Sequence, residues 1–389
     1  MVRLVSILDN DFYKFTMQQG VIKLFPKAKA RYRFINRGEH TFPGGFKEVL
    51  QQAVDTMAEL RLAKKEKEWL ATTCPYLDPV YLDFLQGYCY DPGEVKILQT
   101  GANLEVHIEG LWYRTILWEV PILCLISEIF YRLQQQERES NKTIIEKTIN
   151  KIKTFSDLGV TIAEFGTRRR HSFDVHKLVV QTLQQWGSPF VGTSNLHLAM
   201  LFNTKPIGTH AHEWFMFHAA RYGFKMANTM ALEHWIDVYR GDLGIALSDT
   251  FTTDEFYGIF DKKFSKLFDG VRHDSGDPLV FADKTIAHYK KLGIDPLTKT
   301  IIFSDALDPA KVKTITGACR GKINFSFGIG TNFTNDVGLK PMNIVLKMTE
   351  AQPDGDSWTP VVKLSDEPKK YTGPLETIAI AKAVLGIKA

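Results

Sequence analysis

Two hydrophobic patterns divide the chain. Toward the N-terminus, apolar and polar residues alternate. "ARYRFINR" puts Ala30, Tyr32 and Phe34 on one face; "EVKILQ" and "LEVHIEG", joined by "TGAN", put Val95, Ile97, Leu104, Val106 and Ile108 inward. A period of two belongs to strands with one covered face, so antiparallel strands are expected, the last two as a hairpin. A stretch from about Phe46 to Thr72, polar on one side, predicts a helix. From about residue 155 the apolar runs become short and continuous, as in strands buried on both faces. They end in "AEFGTRRR", "FVGTSN", "PIGTHAHE", "IALSDTF", "VRHDSGDP", "IIFSDALD" and "INFSFGIGTNF". Helical stretches such as "DVHKLVVQTLQQWG", "TDEFYGIFDKKFSKLF" and "LVFADKTIAHYKKLG" separate them. Repeated βα units imply a parallel sheet.

Each run ends in polar residues just before the next helix. An open doubly wound sheet concentrates its ligand groups at one switch point, whereas a barrel gathers them around a rim. The fold class expected is therefore α/β, with a barrel.

The strand ends carry specific chemistry. Arg168, Arg169 and Arg170 in "FGTRRRHS" suit phosphate oxygens, although a solvated basic loop would look the same. Gly328 and Gly330, followed by Thr331, would let backbone N–H groups approach a phosphate, or simply make a tight turn. Arg272 with Asp274 could read an acid group and a sugar hydroxyl, or pair with each other. Asp249 and Asp305 could hold ribose hydroxyls or Mg²⁺, or cap the helices that follow. Tyr13 could stack on a planar ligand or sit in a core.

"GTHAHEW" admits competing readings. A zinc-protease helix needs histidines four apart, and His212-Glu213 is followed by His218 instead. Two histidines on one face of a strand end could hold a metal. Alternatively, His212 is a reactive imidazole beside Glu213, and His210 is partly structural.

Composition narrows the setting. The chain has 389 residues, enough for one large or two ordinary domains. Its 48 basic and 44 acidic residues leave a small excess that no face or tail concentrates, so nucleic acid is not an expected partner. Four scattered cysteines form no CxxC pair, and a reducing cytoplasm is expected. The most apolar window, Thr115 to Leu133, contains Glu119, Pro121 and Glu128 and predicts a buried helix rather than a membrane span. No secretory leader is expected.

In chain order, "DNDFYKFTM", "FGTRRRHS", "GTHAHEWF", "RHDSGDP", "FSDALD", "FSFGIGT" and "VVKLSD" resemble the nicotinate phosphoribosyltransferase family. The resemblance implies a type II phosphoribosyltransferase fold: an irregular α/β barrel over 126–339, and an N-terminal α/β sandwich over 1–125 that 340–389 rejoin. It implies a homodimer with active sites near the interface. The implied reaction joins nicotinate to 5-phosphoribosyl 1-diphosphate, giving nicotinate mononucleotide and diphosphate. This is the first step of NAD synthesis from nicotinate. ATP hydrolysis would be coupled to it through a phosphorylated histidine matching His212, with Mg²⁺ carried by the diphosphate.

The site residues follow from the same resemblance. Tyr13, from the neighbouring subunit, and Phe165 would sandwich the pyridine ring. Arg272 would bind the carboxylate and Arg168 the phosphorylated sugar or diphosphate. Asp274, Asp249 and Asp305 would hold ribose hydroxyls or Mg²⁺, and Gly328, Gly330 and Thr331 the 5-phosphate. Thr193 and Ser194 complete the substrate-facing set, and Glu213 would orient His212. The rival readings are a sister enzyme using nicotinamide or quinolinate, a metal-dependent hydrolase and a non-catalytic nucleotide sensor.

Overall fold

A computed structural model describes residues 2–355 and 357–387, so the outermost ends of the expected spans 1–125 and 340–389, and residue 356, lie outside the described residues. The strands are β1 Lys29–Asn36, β2 Val95–Thr100, β3 Asn103–Leu111, β4 Ile162–Glu164, β5 Phe190–Thr193, β6 Ile245–Leu247, β7 Gly270–His273, β8 Thr300–Phe303, β9 Asn324–Ile329, β10 Ile344–Gln352 and β11 Thr359–Pro360. They form two sheets, one ordered β11-β10-β1-β3-β2 and the other β5-β4-β9-β8-β7-β6.

The first sheet is antiparallel, and its alternation matches the pattern in the sequence. β2 and β3 form the expected hairpin, in register from Val95 opposite Ile108 to Thr100 opposite Asn103. Gly101 turns the chain at φ +59°, a left-handed conformation that glycine adopts without strain. Val95, Ile97, Leu104, Val106 and Ile108 are all buried. β10 pairs with β1 along its whole length, from Lys29 opposite Gln352 to Asn36 opposite Ile344. The C-terminal chain therefore lies inside the N-terminal sheet.

The second sheet is parallel throughout. Six of the seven expected runs are strands, and their polar clusters follow directly. The seventh, "PIGTH", is not a strand. Pro206 has no N–H to give a ladder. Instead, residues 205–210 cross the gap between β5 and β6. Thr193 N–H donates to the Lys205 carbonyl at 3.1 Å, and Ile207 N–H to the Thr193 carbonyl at 2.9 Å. On the other side, Thr209 Oγ1 donates to the Ile245 carbonyl at 3.0 Å, and Leu247 N–H donates to His210 Nε2 at 3.0 Å. Side chains thus stand in for missing ladder bonds.

The expected helix over 46–72 is broken. Helices Phe46–Thr56 and Lys64–Thr73 flank an extended Leu60, and Leu62 is buried between them. Glu66 supports the second start by accepting Ala63 N–H at 2.8 Å. The apolar window becomes helix Glu119–Leu133, buried along most of its length. No helix among the described residues is long and apolar enough to cross a membrane. This helix supports the arginine turn after β4: Cys124 Sγ donates to the Thr167 carbonyl at 3.0 Å, and Ser127 Oγ to the Arg170 carbonyl at 2.7 Å.

Candidate functional site

His212 opens helix His212–Tyr222 directly after the crossing segment. It points across the carboxyl ends of the parallel strands. Its Nδ1 lies 3.0 Å from Thr250 Oγ1, beyond β6, and its Nε2 lies 3.0 Å from Asp274 Oδ2, beyond β7. Lys363 Nζ, from the C-terminal chain, is 2.8 Å from the same Nε2. Burial and the Lys363 charge push the imidazole down to about 4, against the pull of Asp249 and Asp274. It is therefore neutral near pH 7, with a ring lone pair to offer.

The carboxylates around it are held from behind. Asp274 Oδ1 accepts Ser304 Oγ at 2.9 Å, and Asp249 Oδ2 accepts Ser275 Oγ at 2.5 Å. Burial raises the pKa of Asp249, but the neighbouring His212 ring and the Lys363 ammonium outweigh it and the net shift is downward. Asp249 Oδ1 is buried without a hydrogen-bond partner among the described residues. His212, Asp249 and Asp274 each bring one donor atom within 4.8 Å of the others. The set does not fit a resident divalent ion, because the Lys363 ammonium already lies 3.7 Å from Asp249 and 2.8 Å from the imidazole.

Beside this cluster lies a cationic wall. Arg168 sits 3.7 Å from both Asp11 and Glu119, its guanidinium 5.9 Å from the Tyr13 ring of the same chain. Arg169 is pushed down to about 10 by burial and by the charges of Arg168 and Arg37. Lys347, on β10, is pushed down to about 8 by burial and by Arg168, Lys363 and Arg37, with Glu119 opposing. Arg168 disfavours protonation of both Arg169 and Lys347, and the three cations form a field suited to a polyanion.

Phe165 follows β4, its ring against Gly328 and its N–H bonded to the Ile329 carbonyl. Arg272 lies on β7, its Nε buried without a partner among the described residues. The Tyr13 hydroxyl is likewise buried and unpartnered. Gly330 and Thr331 open the short turn Thr331–Thr334 after β9. Ser194 Oγ donates to Asp11 at 2.6 Å, placing it beside Arg168.

Several expectations need correction. The Glu213 carboxylate does not bond the His212 ring. It turns inward to Lys14 at 2.5 Å, Trp112 Nε1 at 2.7 Å and the Tyr32 hydroxyl, because the residue after His212 on a helix faces about 100° away. The residues that hold the imidazole are Asp274, Thr250 and Lys363. The Thr193 hydroxyl is closed off inside, donating to Glu164 Oε2 at 2.5 Å. Gly328 leaves no open cradle: a Cβ there would lie 2.2 Å from Phe165 Cε2, so the glycine makes room for the ring. Asp305 is paired with Lys370 at 2.8 Å. Of the three arginines, Arg170 is structural, gripping buried Asp9 at 2.6 and 2.8 Å through two nitrogens.

The reading from sequence left Thr250, Lys347, Arg37 and Lys363 without roles. Lys363 had one signal: a lysine flanked by Val361, Val362 and Leu364, all three buried. A charge in so apolar a run needs a buried partner.

The fold and site define an α/β protein that holds a neutral imidazole and two carboxylates beside a cationic wall, at the carboxyl ends of its parallel strands. The chain belongs to the nicotinate phosphoribosyltransferase (NAPRTase) family: the family model matches residues 160–388 and its N-terminal domain residues 8–127. The nicotinate phosphoribosyltransferase of Chromohalobacter salexigens is 65% identical over 383 residues, 98% of each chain. That of Methanosarcina acetivorans is 43% identical over 403 residues, again 98% of each. The crystal structure of nicotinate phosphoribosyltransferase from Porphyromonas gingivalis superposes with a TM-score of 0.96 at 45% identity, covering 100% of both chains. The Vibrio cholerae enzyme superposes at 0.93 with 34% identity, covering 99% of this chain and 94% of that one.

Proposed function

We propose that the chain joins nicotinate to 5-phosphoribosyl 1-diphosphate, releasing nicotinate mononucleotide and diphosphate. ATP hydrolysis is coupled through phosphorylation of His212. Family membership supports the transfer reaction. The observation that carries the coupling is the neutral, buried His212 between Asp274 and Lys363.

In the transfer step, the pyridine nitrogen forms a bond to C1 of the ribose as the C1–oxygen bond to diphosphate breaks. Positive charge develops on the sugar, so the protein supplies positioning and charge rather than a nucleophile. Tyr13 and Phe165 flank the ring, Arg272 takes the nicotinate carboxylate, and Arg168 faces the phosphorylated sugar or diphosphate. Ser194, Gly330 and Thr331 border the sugar phosphate. Mg²⁺ would arrive as part of the diphosphate substrate and offset its charge; Asp249, whose Oδ1 has no hydrogen-bond partner among the described residues, would be the carboxylate available to it. In the coupling step, a His212 ring nitrogen takes the terminal phosphoryl group of ATP as ADP leaves. Water later releases phosphate and restores the imidazole. Coupling requires that phosphorylated His212 favour a substrate-binding state over an open one.

The test is product formation from labelled nicotinate and phosphoribosyl diphosphate with Mg²⁺, with and without ATP, and with nicotinamide in parallel. Nicotinate mononucleotide formed faster with ATP is the expected result. A charged hydrogen bond is worth roughly 1.5–3 kcal/mol, so the acid should be preferred over the amide by about tenfold or more. Equal use of both bases would remove Arg272 from its role.

A further inference from the structure

Two carboxylates that the transfer reaction does not use meet inside the protein at one lysine. Lys14, fully buried on helix Phe12–Leu24, places Nζ 2.6 Å from Glu119 Oε2 and 2.5 Å from Glu213 Oε2. Each carboxylate also adjoins a residue of the site. Glu119 Oε1 lies 3.7 Å from Arg168. Glu213 directly follows His212 in the first turn of its helix, anchored on its other oxygen by Trp112 and Tyr32. A continuous path therefore runs from Arg168 through Glu119, Lys14 and Glu213 to the backbone that carries His212.

One lysine between two carboxylates leaves a negative charge over, which faces Lys347 and Arg168, the latter also 3.7 Å from Asp11. An anionic ligand on Arg168 competes with Glu119 for the guanidinium. Glu119 must then draw more on Lys14, and Lys14 holds Glu213 less. Two such arrangements, one with Arg168 facing Glu119 and one with Arg168 facing the ligand, are what coupling between the sites requires. We infer that Lys14 is a positioning residue that couples anion binding at Arg168 to the placement of His212. The inference rests on the ATP-coupled reaction proposed above.

The test measures nicotinate mononucleotide formation by the full chain with and without ATP, in wild type, Glu119→Gln, Lys14→Met and Lys14→Arg, with melting temperature recorded for each. The expected result is a fall of about tenfold in the ratio of ATP-stimulated to ATP-independent rate for Glu119→Gln and Lys14→Met. Lys14→Arg, which keeps the charge, should retain more of the ratio than Lys14→Met. Should Lys14→Met fail to fold, the near-isosteric Glu119→Gln decides alone. Variants that lose stability and both rates together, with an unchanged ratio, would show a purely structural network and overturn the inference. A wild-type chain without ATP stimulation would overturn it together with the reaction on which it rests, and that failure shows before any variant is made.

Discussion

Lys363 sets its ammonium 2.8 Å from Nε2 of His212, although 151 positions of chain separate the two residues. This contact joins the C-terminal chain to the rim of the parallel sheet and helps to keep the imidazole neutral. Lys363→Met removes a positive charge that holds the His212 pKa down, so that pKa should rise from about 4 toward its ordinary value. The acid limb of ATP-stimulated turnover should move to higher pH, because phosphoryl transfer needs the neutral ring. A pH–rate profile with the limb unmoved would exclude this role.

His212→Ala removes the proposed phosphoryl acceptor while leaving Arg168, Arg272 and Tyr13 in place. Slow ATP-independent transfer should persist and ATP stimulation should vanish. Undiminished stimulation by ATP in this variant would sink the phosphohistidine reading.

Gly328→Ala puts a methyl group 2.2 Å from Phe165 Cε2. The ring must move, and overpacking of this kind costs typically about 1–3 kcal/mol. The KM for nicotinate should rise along with the loss of stability. A variant with wild-type KM and melting temperature would remove Phe165 from the base site.

Arg170→Met strands the buried Asp9 carboxylate, whose remaining side-chain donor is Asn195 Nδ2 at 2.8 Å. Breaking a buried pair from one side costs about 3–5 kcal/mol. Urea unfolding should show that loss, and the double variant Asp9→Leu/Arg170→Met should recover part of it. A single variant of unchanged stability would contradict the structural assignment of Arg170.

Acid should destabilise the fold in two stages. Burial holds His171 and His212 down to about 4 and His218 to about 3. In the unfolded chain these rings take up protons near pH ~6.5. The unfolded state then binds more protons below that pH, so stability falls as pH drops from about 6.5 toward 4. Glu119 belongs to the second stage. Burial opposes its charge, but Lys14, Lys347 and Arg168 outweigh that and hold its pKa at about 2. Its contribution is present above about pH 4.5 and lost as pH falls toward 2. Melting temperatures recorded from pH 7.5 to 4.5 should decline; a flat profile would show that the histidines are not buried neutral.

Local pattern determined much of this protein. Alternation from Val95 to Ile108 specified the β2–β3 hairpin and its inward face, because a period of two is a property of the strand itself. Continuous apolar runs located six parallel strands, and the polar residues just past them located the rim. Tertiary packing decided what neighbouring residues in sequence could not. His212 and Glu213 are adjacent, yet one faces the rim and the other a buried lysine, because successive helical positions point apart. "PIGTH" reads as a strand but bridges a gap, its ladder bonds replaced by Thr209 and His210. Lys363 reaches His212 because β10 returns the C-terminal chain to the N-terminal sheet. Periodicity records what one element buries; which charges meet depends on where distant elements pack, and that information lies in the folded chain as a whole.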